Sequence, residues 1–156
     1  MAEGEFALVR QYSEIALART GGWGGEHDVY AMQVDAAAQQ CDLAALQQYA
    51  PLAEELAERY DHKLYQAIAH RAQGVAHRLA GKTVDAEVRL KQALALFETL
   101  DTRWQIGRTL FELGELALAN TENESAREYF SHALTAFEAL GALPDAARTR
   151  EKLSAL

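Results

Sequence analysis

The sequence predicts an all-α fold, an α-solenoid of about eight helices stacked as antiparallel pairs. Three observations predict it. A fifteen-residue stretch, 86–100, recurs forty positions later as 126–140. Apolar residues inside that stretch include 86, 90, 93, 94, 97 and 100, which is helical spacing. Ala, Leu, Gln, Glu and Arg dominate the chain, and all are strong helix formers. Val and Ile are few, and no segment alternates like a strand.

The repeat is specific to one offset. Ala86, Ala93, Leu94, Phe97, Glu98 and Leu100 recur as Ala126, Ala133, Leu134, Phe137, Glu138 and Leu140. Gly74 and Gly114 keep the offset, as do the apolar Leu90 and Phe130. A shared Ala/Leu composition alone would match at many offsets. Backward, Ala53, Glu58 and Asp61 match Ala93, Glu98 and Asp101, but the copy is degenerate. Leu46 stands for the small Ala86, and the small Ala50 stands for Leu90 and Phe130. Forward, Arg148 and Leu153 match Arg108 and Leu113. The single domain 1–156 therefore divides into an N-terminal helix with a Gly-rich turn (1–25), a degenerate repeat (26–65), two good repeats (66–105 and 106–145) and a terminal half-repeat (146–156).

The helices are expected at 3–19, 26–40, 43–60, 62–80, 84–99, 102–119, 122–140 and 144–155. Gly21–Gly25, broken only by Trp23, is the strongest interruption, and Trp23 is expected to wedge under the first helix. Pro51 is expected to kink or restart the third helix. Asp61 and Asp101 are expected as N-caps, and Thr121 with Glu124 as a capping box. Gly81-Lys-Thr83 is expected to end one helix and cap the next. Gly141-Ala-Leu-Pro144 reads as a turn with proline at a first helical position.

Composition bounds the function. At 156 residues folding buries about 68–70% of the unfolded surface, enough for a core without staples. A net charge of −8 disfavours nucleic acid and anionic membranes as partners. The charge is uneven: residues 1–60 hold ten acids and three bases, whereas 61–156 are nearly balanced. The single cysteine, Cys41, cannot form an intramolecular disulfide and fits a reducing compartment. No apolar run approaches the ~20 residues of a membrane span, and no signal peptide is legible, so a cytoplasmic location is expected.

Within each good repeat a glycine is followed by two alanines: Gly74, Ala86, Ala93 and Gly114, Ala126, Ala133. This pattern resembles the tetratricopeptide repeat (TPR), whose small residues let paired helices pack closely. Leu90 or Phe130 between the alanines also fits. The resemblance covers roughly residues 26–156, best over 67–143. The family's period is about 34 residues; the additional residues here are expected at the Leu100–Ile106 and Leu140–Ala146 junctions, in a longer second helix or turn. Glu98 and Glu138 hold the place of the family's usual proline. Longer repeats of this kind are similar to arrays in large bacterial regulators. The resemblance implies a right-handed superhelix and a non-catalytic scaffold for protein–protein interaction.

In such stacks the first helix of each pair lines a concave face. Projected here, that face would carry Asp28, Ala31 and Asp35, then Ile68, Arg71, Val75 and Arg78, then Arg108, Phe111, Glu115 and Leu118, and finally Arg148 and Lys152. Two readings of the basic stripe stand side by side. It could grip a protein or peptide partner of acidic character, with arginines on carboxylates and Phe111 as anchor. Alternatively its arginines pair with acids such as Glu112 and Glu115.

No catalytic, cofactor or metal motif accompanies these residues. His70 and His77 lie seven apart, where a metal site would prefer four and a third ligand, so packing is expected of them. His27, His62 and His132 are isolated in sequence, and Cys41 is expected as a buried thiol. Asp28/Asp35 and Glu54/Glu55 lack any accompanying nucleophile or base. The ends offer a different role. Phe6, Val9, Tyr12, Ile15 and Ala16 at one end, and Ala147, Leu153 and Leu156 at the other, have no covering helix in the pattern. Such faces predict homo-oligomers through the terminal helices or docking within a larger protein, with folding back on the stack's flank as the alternative.

Overall fold

The computed structural model describes residues 3–19 and 25–156. Eight helices account for them: α1 (Glu3–Arg19), α2 (Glu26–Gln40), α3 (Leu43–Arg59), α4 (Lys63–Leu79), α5 (Thr83–Thr99), α6 (Arg103–Ala119), α7 (Asn123–Ala139) and α8 (Leu143–Ser154). Every end lies within one residue of the sequence expectation, and there is no strand among the described residues. The glycines at 21–24 and Trp23 fall outside the described residues. None of the described helices is long and apolar enough to cross a membrane.

The forty-residue period resolves into two units of twenty. Helices α3 to α7 have 17 residues each. The turns place one residue at positive φ every twenty positions: Cys41, Asp61, Gly81, Asp101, Thr121 and Gly141. Each turn closes the same way. The amide after the left-handed residue donates to a carbonyl five residues back, as in His62 N to Ala57 O and Lys82 N to His77 O (both 2.9 Å). The left-handed amide itself reaches three residues back, as in Asp61 N to Glu58 O (3.0 Å). This is the Schellman pattern, which satisfies the last carbonyls of a helix. The following residue then caps the next helix, so each connection is short and returns the chain alongside its predecessor.

This geometry corrects several sequence expectations. Asp61 and Asp101 are not N-caps; they occupy the left-handed position, which Asp tolerates better than most residues. The N-caps are His62 and Thr102, neither with a side-chain capping bond. Thr121 is likewise the left-handed residue, so no capping box forms with Glu124, and Lys82 rather than Thr83 precedes α5. Asp42 does cap α3, accepting from Ala45 N at 3.0 Å. Helix α3 runs unbroken through Pro51. The two helices of each good repeat are equal in length, and the turn at 100–102 matches that at 80–82.

Each helix packs on its successor, and α4 also packs on α2 and on α6. These adjacent-helix contacts are consistent with a helical repeat. Glycine sets the close approach inside the two good repeats. A Cβ on Gly74 would lie 2.7 Å from Leu90 Cγ, and one on Gly114 would lie 2.6 Å from Phe130 Cε1. In the degenerate repeat the sizes reverse at the same offsets. Val34 stands for the glycine and Ala50 for the large residue, both buried in one cluster. A volume-conserving exchange of this kind keeps packing intact. Two larger clusters result, one around Val34, Leu46, Val75 and Phe97, the other around Phe111, Phe130 and Phe137.

Candidate functional site: the face of α2, α4, α6 and α8

Residues 68, 71, 75 and 78 recur at three- and four-residue steps, so one side of α4 carries them all. The same spacing aligns Arg108, Phe111 and Glu115 on α6. What these side chains meet decides their chemistry.

Arg71 is 1% exposed and donates from Nη2 to Asp35 Oδ1 at 2.6 Å. Arg108 donates from Nη1 to both Asp35 oxygens at 2.8 Å. One carboxylate on α2 thus holds two guanidiniums, from α4 and α6. Burial pulls the Asp35 carboxyl upward, but Arg71 and Arg108 outweigh it and hold it below its ordinary value. Burial, then repulsion from Arg108, lowers Arg71 to about 10. Arg71 lies over the Phe97 ring and Arg108 over the Trp104 ring, at 5.1 and 4.9 Å.

The pattern continues along the stack. Arg78 of α4 donates to Glu112 of α6 at 2.9 Å. Burial disfavours the charge on Arg78, yet Glu112 prevails and raises it above its ordinary value. Lys152 of α8 meets Glu115 of α6 at 2.7 Å, and Trp104 Nε1 donates to Asp145 of α8 at 3.1 Å. Arg148 is exposed and covers the Phe111 ring at 4.3 Å. Phe111 itself is buried, edge-on to Phe130, and Val75 is fully buried. The basic stripe is therefore a ladder of cross-helix ion pairs. Of the arginine pairings with Glu112 and Glu115 anticipated from sequence, Arg78 meets Glu112, while Glu115 is met by a lysine, Lys152. The main partner of Arg71 and Arg108 is Asp35, 36 and 73 positions away.

Open space on this face lies at its N-terminal part. A cleft of about 340 Å³ is lined by Asp28, Met32, Asp35, Tyr65, Ile68 and Gln105, among others. Met32 is 61% exposed. The Gln105 Oε1 atom is buried and has no hydrogen-bond partner. The Tyr65 hydroxyl donates to Asp28, and that bond, with burial, pushes Tyr65 up to about 12.

Other expectations resolve as follows. His27 and His62 are not isolated in space: their rings lie 5.8 Å apart, among Tyr60 and Tyr65. No sequence signal joins them, because they sit 35 residues apart on separate elements. Cys41 is exposed rather than buried, at a left-handed turn position. His70 packs half-buried, with Nδ1 at 2.9 Å from Arg89 Nη1 and 3.3 Å from Glu54 Oε1. Burial lowers its pKa. Among the described residues no group of three His, Cys, Asp or Glu is arranged to hold a metal ion. At the C-terminal end Leu153 and Leu156 are half-buried against the Phe111 cluster, while Ala147 is exposed.

At the N-terminal end, α1 and α2 leave an apolar groove of about 330 Å³ that includes Leu8, Val9, Tyr12, Ala16 and Met32. Comparison of the chain with protein-family models, curated proteins and solved structures finds no match.

Proposed function

We propose that the chain is a right-handed α-solenoid of the tetratricopeptide type, acting as a non-catalytic scaffold. It binds a protein or peptide segment on the concave face formed by α2, α4, α6 and α8. The observation that carries this reading is the open cleft of about 340 Å³ between α2, α4 and α6, where exposed Met32 lies with Gln105, whose side-chain oxygen has no hydrogen-bond partner. An apolar floor with a few placed polar groups is the usual make-up of a recognition pocket. The ion-pair ladder supplies the rigid support. Because Asp35, Glu112 and Glu115 already engage the cations, the ladder favours backbone and side-chain donors reaching Gln105 and Asp28 over capture of a purely acidic strand.

The test is selection of binders from a displayed peptide library. Met32→Glu should weaken the selected peptides at least about tenfold, a loss on the scale of one buried anchor. Val88→Glu, on exposed α5, should leave them unchanged. Peptides indifferent to Met32→Glu, or no enrichment at all, would refute the reading.

A second reading is favoured by the α1/α2 groove: self-association through the terminal helices, or docking within a larger multidomain regulator. Leu8, Tyr12 and Ile15 are exposed beside it. Light scattering during size-exclusion chromatography tests self-association. A monomer at all concentrations, unchanged by Tyr12→Lys, would sink it.

A further inference from the structure

The repeat builds one groove twice, between successive outer helices, and narrows only one copy. The first groove runs between α3 and α5 over α4 and encloses about 370 Å³. The second, forty residues on between α5 and α7 over α6, encloses about 140 Å³. Seven residues lining the second groove correspond at that offset to residues lining the first. The difference is side-chain size and character. Where Leu113 and Leu116 fill the second groove, the first has Gln73 and Ala76. Where Leu90 packs on Gly74, the first groove has Ala50.

Charge differs as well. Glu122 and Tyr129 at the second groove are replaced by Lys82 and Arg89 at the first. Glu54 takes the place of Leu94, and its carboxylate is held by Arg89 Nη1 at 2.6 Å and by Gln73. Arg89 Nη1 also meets His70 Nδ1 at 2.9 Å, and no hydrogen bond among the described residues uses its Nη2. No ion pair engages Lys82 among the described residues, whereas Lys91 and Lys152 both have one. Asp85, one turn on, does not line the cleft. A chain that closes this groove with leucine and tyrosine in one copy has opened and charged it in the other. Such a departure from a local packing rule marks functional positions. The volume lies within the range of small-ligand pockets, about 300–1,000 Å³.

We infer that the cleft between α3 and α5 binds a carboxylate carried on a short apolar body, supplied by a free organic acid or by the C-terminus of a peptide. The carboxylate sits between Lys82 and Arg89, a charge-assisted arrangement. The apolar body lies on Pro51, Ala76 and Ala80. This site is separate from the α2/α4/α6/α8 face and stands or falls without it.

The test is amide-shift mapping of the full ¹⁵N-labelled chain with four probes: hexanoate, hexanamide, acetyl-Ala-Leu with a free C-terminus, and its C-terminal amide. Saturable shifts at Gln73, His77, Lys82 and Arg89 are expected from a carboxylate probe and not from its amide. Leu113, Ala117, Glu122 and Tyr129 of the second groove should stay still. Response to hexanoate alone assigns the free acid; tighter response to the peptide assigns the C-terminus. Lys82→Glu, which copies Glu122 and is exposed, should weaken binding at least about tenfold. Ala76→Leu, which copies Leu116, should abolish it at unchanged helicity. Equal response to acid and amide, equal response of both grooves, or no saturable response to either carboxylate overturns the inference.

Discussion

Replacing Asp35 with alanine should be the most costly single polar change on the α2/α4/α6/α8 face. Asp35 is the carboxylate between two buried guanidiniums; the Arg71 and Arg108 side chains are 1% and 7% exposed. Removing one partner of a buried ion pair costs about 3–5 kcal/mol, because the remaining charge has no compensation. Here two like charges would remain. The Asp35 side chain is itself 20% exposed, so water can enter and the lower end, about 3 kcal/mol, is expected. For a chain of this size that lowers Tm by about 6–12 °C. The assay is urea unfolding followed by circular dichroism, with Glu138→Ala as reference. Glu138 pairs with Arg150 in the open, at 49% and 54% exposure, and its loss should cost about 0–1 kcal/mol. Adding Arg71→Met to Asp35→Ala should restore part of the loss, since one uncompensated charge is removed. An Asp35→Ala cost equal to that of Glu138→Ala, or no recovery in the double variant, would refute the reasoning.

Acid should weaken the wild-type chain through the same residue. Asp35 titrates below its ordinary value when folded, so its contribution is complete above the unfolded carboxylate pKa of about 3.9 and is lost as pH falls through the lower folded value. In Asp35→Asn that part of the acid limb should be absent from stability-versus-pH curves. Gly114→Ala should destabilise by about 1–3 kcal/mol from overpacking, minus about 1 kcal/mol of helix propensity, since the new Cβ would meet the rigid Phe130 ring at 2.6 Å; thermal melts would read this. Thr121→Gly should instead stabilise by about 1 kcal/mol, because a β-branched residue there holds φ at +62°. Gly81→Thr at the equivalent position should destabilise by a similar amount.

The fold was legible because its rule is local. Each helix announces itself by apolar spacing, and each turn by a break, so the boundaries could be read to a residue. The caps are ambiguous for a physical reason. Asp serves both as N-cap and as a left-handed residue, and the sequence Tyr60-Asp-His62 does not say which. Gly81 and Gly141, at the same place in the twenty-residue spacing, distinguish the two. The ion pairs were less legible. Glu112 and Glu115 stand out as acids available to the cations, but Arg78 meets Glu112 across 34 positions, Lys152 meets Glu115 from another helix and Asp35 meets Arg108 across 73 positions, which no local pattern encodes. The open groove at α3–α5 leaves a signal at the forty-residue offset: Ala50 in place of Leu90, Glu54 in place of Leu94 and Gln73 in place of Leu113.

The central functional claim is that this stack meets its partner on the α2/α4/α6/α8 face. The most direct measurement is the amide-shift map of the labelled chain with a peptide selected against it. The account predicts changes concentrated at Ala31, Met32, Tyr65, Ile68 and Gln105, around the cleft between α2, α4 and α6. Changes confined to the exposed positions of α5 and α7, with those five residues unmoved, would contradict it.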